Sequence, residues 1–91
     1  MEPLEIRRKR LTHRAHYRGF READILIGGF AESAIDGMSA AELDAFEALL
    51  DCNDHDIYAW VTGAVAAPDG IDATLIARMR AFDAPASIGK R

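Results

Sequence analysis

His13 and His16 stand three residues apart on a stretch that reads as helix, a spacing able to offer two ligands to one metal ion. A closed site needs about four ligands. Cys52 and His55 lie elsewhere in the chain, with no second pair to complete the set. Solvated histidines are the expectation. Ser33, Ser39 and Ser87 have no glycine-framed elbow around them. Cys52, near the expected end of a helix, lacks the electropositive setting that would activate a thiol, and is expected to be buried or inert. Gly28-Gly29 sits inside a helical run and is not a phosphate loop. Two glycines there cost about 1 kcal/mol each relative to alanine, so they should mark a close helix contact or a local kink. Nothing in this inventory assembles an active site, and the chain is expected not to be an enzyme.

The stretch "HRAHYRGFREAD", residues 13–24, is more informative. It contains Arg18-Gly19-Phe20-Arg21-Glu22, of the form R-G-x-x-E. If both ends are helical, Arg18 and Glu22 are four apart and their side chains can meet. Gly19, without a Cβ, allows another backbone to approach closely. Two readings stand level on the residues alone. One is a glycine hinge with a weak local ion pair, worth about 0.3–0.5 kcal/mol; the other is a binding corner.

Charge is distributed unevenly around this stretch. The net charge is −4, yet residues 1–21 carry seven basic side chains against two acidic ones, and the remaining residues carry four against thirteen. A basic arm on an acidic body can reach an acidic partner, nucleic acid included, or it can pair with its own body. The acidic body would repel a duplex pressed against it.

The elements that must position these groups are legible from punctuation and period. Ninety-one residues, 49% hydrophobic and 29% charged, fit one soluble domain, 1–91, with a core over about 5–83 and a flexible tail at 84–91. No apolar run is long enough for a membrane span. The acidic start Met1-Glu2-Pro3-Leu4-Glu5 argues against a secretory signal. A single cysteine fits a reducing cytoplasm.

Residues 5–16 read as a mostly wet helix with a thin stripe of Ile6, Leu11 and Ala15. Residues 20–32 place Phe20, Ala23, Leu26, Ile27 and Phe30 on one face. Ser39 and Glu42 form a capping box ahead of Leu43, Phe46, Leu49 and Leu50. Asn53 or Asp54 caps a helix carrying Ile57, Trp60, Val61 and Ala64, with Trp60 in the core and Tyr58 on the surface. Asp69 with Asp72 opens the last helix, lined by Ile71, Leu75, Met79 and Phe82. Five short helices pooling their stripes make an all-α bundle.

The chain resembles the small FAD assembly factors of succinate dehydrogenase, the flavinylation factors of bacteria and mitochondria. The likeness covers roughly residues 10–83. It rests on the R-A-x-x-R-G stretch Arg14 to Gly19, the R-G-x-x-E signature at Arg18, Gly19 and Glu22, and "MSAAELDAFEALLDCNDHDIYAW", similar to the family's L-S-x-x-E, F-x-x-L-L and D-x-D-L-Y-x-W pattern. His55 departs from a common proline, and Ala23 and Gly28-Gly29 are unusually small. The resemblance implies a noncatalytic bundle whose partner is the flavoprotein subunit of succinate dehydrogenase, or of fumarate reductase. It would promote covalent FAD attachment to that client while holding no cofactor stably itself.

The same resemblance implies a partner-binding site at Arg18, Gly19 and Glu22, extended by Arg14. Gly19 would admit the client's backbone, Arg18 would offer a fork to a client carboxylate or carbonyl, and Glu22 would accept from the client or fix Arg18. A bacterial cytoplasmic monomer is expected, with neither nucleic acid nor membrane as partner. The alternative is a small nucleic-acid-binding module using the basic N-terminal helix.

Overall fold

A computed structural model describes residues 2–82; the expected loose tail, with Ser87, lies outside the described residues. Five helices follow one another: α1 (Leu4–Ala15), α2 (21–34), α3 (Ala40–Leu50), α4 (Asp54–Thr62) and α5 (Ala73–Ala81). α2 is composite. An α-helical turn, Arg21–Ala23, runs into a π-helical stretch, Asp24–Gly28, then back to α-helix over Gly29–Ala34, and a 3-10 turn, Ile35–Gly37, closes it. Among the described residues there is no strand, and none of the helices is long and apolar enough to cross a membrane.

The caps explain why the helices start where they do. Ser39 Oγ accepts from the Glu42 N–H at 3.2 Å while Glu42 Oε1 accepts from the Ser39 N–H at 2.8 Å, the reciprocal box expected there. That backbone bond, followed by the one from the Ser39 hydroxyl, holds the Glu42 carboxyl below the usual range. Of the two candidates ahead of α4, Asn53 is the cap, accepting from the His55 N–H at 2.8 Å. Asp72 caps α5.

α4 ends in a left-handed residue, Gly63 at φ +87°, a conformation glycine adopts without a Cβ penalty. Its last carbonyls, of Trp60 and Val61, accept from the Arg80 guanidinium at 2.8 and 3.1 Å. α5 is thereby tied to the end of α4.

The apolar stripes meet in one core. Leu11, Ile27, Leu43, Phe46, Ile57 and Met79 are sealed off, and Phe30 sets its ring 6.0 Å from those of Phe46 and Phe82. Trp60 joins them as expected. Ile6 and Ala64 do not: Ile6 is exposed on the outer side of α1, and Ala64 falls beyond the Gly63 stop. Tyr58 is half-buried rather than free on the surface, because its ring meets the edge of Phe20 at 5.3 Å. Met38, between the 3-10 turn and α3, is fully buried although no stripe marked it.

Candidate functional site

α1 stops at Ala15, and the chain then turns sharply before α2. His16 is extended (ψ 172°), Tyr17 is left-handed (φ 60°) and Phe20 is extended again (φ −151°). Arg18 and Glu22 are therefore not on one helix, and the expected pairing between them does not form. Arg18 turns inward instead, its side chain 10% exposed. Nε donates to Asp54 Oδ1 at 2.7 Å, Nη1 to the Arg14 carbonyl at 2.9 Å and Nη2 to the Leu50 carbonyl at 3.0 Å. These carbonyls lie in the last turns of α1 and α3, where helices leave acceptors unsatisfied and carry partial negative charge. One guanidinium thus closes two helix ends and pairs with the first residue of a third.

Asp54 completes the lock. Its Oδ2 accepts from the Gly19 N–H at 2.6 Å, and its charge sits at the positive end of α4. The backbone N–H of Arg18 in turn donates to Asp24, at the head of the π-helical stretch. What remains outward is Gly19, which is exposed, and Glu22, which is exposed and makes no side-chain hydrogen bond among the described residues. The fork expected to face a client is engaged within the domain: Nη1 and Nη2 cap two helix ends and Nε is held by Asp54. Arg14 lies at the edge, half-buried, with Nη2 2.8 Å from Asp51 Oδ1.

The remaining basic residues show where the N-terminal charge goes. Arg7 meets Asp44 at 2.7 Å and Glu47 at 2.9 Å, and Arg10 meets Glu2 and Glu47 at 2.9 Å. With Arg14–Asp51 and Arg18–Asp54, α1 and the loop after it face α3 and the start of α4 across a ladder of four basic positions. The guanidiniums of Arg10 and Arg7 hold the Glu47 carboxyl below the usual range, and Arg10 does the same to Glu2. Asp44 and Glu47 in turn raise Arg7. Exposed rungs of this kind contribute little each, but they answer the charge question: the arm pairs with its own body.

With this geometry in view, comparison with known proteins is informative. Residues 9–83 match the family described as the flavinator of succinate dehydrogenase. The chain belongs to that family. It is 41% identical over 76 residues to the FAD assembly factor SdhE of Acetobacter pasteurianus, covering 84% of this chain and 70% of that protein. It is also similar to mitochondrial succinate dehydrogenase assembly factor 2 of Debaryomyces hansenii (41% identical) and Scheffersomyces stipitis (43% identical). Each of these matches covers 67% of this chain, and 43% and 41% of the respective relative. The chain spans less than half the length of those two mitochondrial proteins.

In this flavinator-family chain a second device steadies the corner from behind. The His16 imidazole lies against Gly28, so closely that a Cβ there would fall 2.4 Å from Nδ1, and its Nε2 is 2.7 Å from Glu32 Oε2. The glycine pair is thus a close contact and a kink at once, since Gly28 ends the π-helical stretch. Among the described residues no three metal-ligating groups converge, and His16 is engaged as a clasp. Cys52 is half-buried, its Sγ 3.7 Å from the Ala48 carbonyl.

Gly28→Ala gains helix propensity of about 1 kcal/mol but expels the imidazole, an overpacking that costs about 1–3 kcal/mol. A net loss of about 1 kcal/mol is expected in urea unfolding. In the His16→Ala background the same substitution should turn neutral or stabilising; equal losses in both backgrounds would contradict the clasp.

The front of the corner is aromatic. Phe20 stacks on His55 at 4.5 Å with the rings 14° apart. Tyr17 is 80% exposed, with the His13 and His16 rings as its aromatic neighbours. Its left-handed backbone costs a non-glycine residue about 1–2 kcal/mol. Sequence reasoning passed over Asp54 as a site residue because a helix-capping role already accounted for it. Tyr17 gave no signal, since nothing local announced the left-handed turn.

Proposed function

We propose that this chain binds the flavoprotein subunit of succinate dehydrogenase and promotes covalent attachment of FAD to it. The fumarate reductase flavoprotein is a second client of the same kind, and the encounter belongs to the bacterial cytoplasm, one chain per client. The flavin chemistry is that of the cofactor and client; this chain performs no bond-making step and keeps no cofactor of its own. It favours a client conformation in which the accepting side chain and the flavin are aligned. Alignment of that kind can lower a barrier by about 7 kcal/mol or more.

The observation that carries the reading is the division of labour at the corner. Arg18 and Asp54 are consumed in fixing it, and Gly19 and Glu22 are left facing outward on a rigid support. In this proposal Gly19 admits client backbone, Glu22 accepts a client hydrogen bond, Arg18 acts as a positioning residue and Arg14 borders the contact. The names of the relatives support the choice of client. The nucleic-acid alternative loses its main support, because Arg7, Arg10, Arg14 and Arg18 already face carboxylates of their own domain.

The test is covalent flavin on the client, read by in-gel fluorescence, when the subunit is produced with and without this chain. A clear rise with the chain present is expected, and unchanged flavin content overturns the proposal.

A further inference from the structure

Tyr17 is the one non-glycine residue among the described residues with a positive φ. It is also the most exposed of the large hydrophobic side chains, at 80% against 54% for Val65. A fold indifferent to the ring would place glycine or asparagine here, since both adopt the left-handed turn more readily. The ring contributes little to the core in return. It lies 5.4 Å from the exposed His13 ring on α1 and 6.3 Å from the half-buried His16 ring just after it. Backbone strain combined with an exposed aromatic points toward binding rather than folding.

The surroundings say what kind of partner the ring meets. Tyr17 closes one end of a groove of about 450 Å3 along α1, where His13 and Lys9 lie one and two turns earlier. Lys9 is exposed and makes no ion pair among the described residues, while Arg8, in the same groove, gives Nη2 to the Met38 carbonyl at 2.9 Å and keeps its Nε buried. Glu5 and Asp36 add carboxylates to the wall, and the exposed His13 ring lies beside Tyr17. Gly19, exposed like Tyr17, is only two residues further along the chain.

We propose that Tyr17 is an aromatic anchor of the client interface. It enters an apolar socket on the flavoprotein subunit, rimmed by carboxylate or carbonyl acceptors that meet Lys9 and His13. This rests on the function proposed above. Tyrosine suits such a role: a large rigid ring, little rotamer entropy to lose, and a hydroxyl for the wet edge of the contact.

The experiment measures affinity of the full chain for the purified flavoprotein subunit, together with its melting temperature, for the parent and for Tyr17→Gly. Glycine relieves the left-handed strain, so the melting temperature should stay level or rise while binding weakens by on the order of tenfold. Affinity within about threefold of the parent, with the parent binding normally, overturns the anchor alone. A lower melting temperature assigns the ring to the fold and overturns it as well. A parent chain that does not bind the subunit overturns both this inference and the function it rests on.

Discussion

Asp54→Ala lowers the unfolding free energy by about 3 kcal/mol, the cost of leaving one member of a desolvated ion pair without its partner. The lower end of the usual range applies because Asp54 itself is 21% exposed, whereas Arg18 is 10% exposed. Three losses coincide: Arg18 keeps its carbonyl acceptors but no counter-charge, the Gly19 N–H loses its acceptor, and α4 loses an acid from its first turn. For a domain of this size the melting temperature should fall by roughly 12–24 °C. Arg18→Ala should cost a similar amount, and the double variant clearly less than the sum, since the two residues act through one another. A loss under about 1 kcal/mol for Asp54→Ala would mean that the corner is held by its backbone alone.

Gly19→Arg separates docking from folding. The site is exposed, so the long side chain can extend into solvent. Its Cβ would lie 3.1 Å from Asp54 Oδ2, which obliges that carboxylate to yield by a few tenths of an ångström. Gly19 has no left-handed φ to defend. The stability cost should therefore stay near 1 kcal/mol, within the usual range for point substitutions. On the proposed docking, client binding should fall about a hundredfold, or about 3 kcal/mol, because the side chain would fill the space assigned to client backbone. Flavin incorporation should drop to the level seen without the protein. A variant that folds and still supports full flavin incorporation would show that the client docks elsewhere.

Helix positions were legible from local chemistry because their signals lie within a few residues of one another. The Ser39–Glu42 box, the Asn53 cap and the Leu43/Phe46/Leu49/Leu50 stripe each specify one helix without reference to the rest of the chain. The direction of Arg18 was not legible. Two of its acceptors, Asp54 and the Leu50 carbonyl, lie 36 and 32 residues away, and the local alternative, Glu22, sits on α2, across the turn from α1. The close contact at Gly28 was hidden for a similar reason: the Gly28-Gly29 pair marks it, but the ring that fills the space belongs to His16, twelve residues earlier. Ile6 and Ala64 were misplaced because helical period continues on paper past the point where a neighbour stops covering it.

The wiring of Arg18 has a consequence for when the protein becomes competent. Its guanidinium finds its acceptors only after α1, α3 and α4 have been brought together, closing loops of more than thirty residues. Gly19 borrows its anchor from the same assembly. On the function proposed above, the display surface exists only on a finished bundle: a nascent or half-melted chain carries the motif but offers the client no shaped edge.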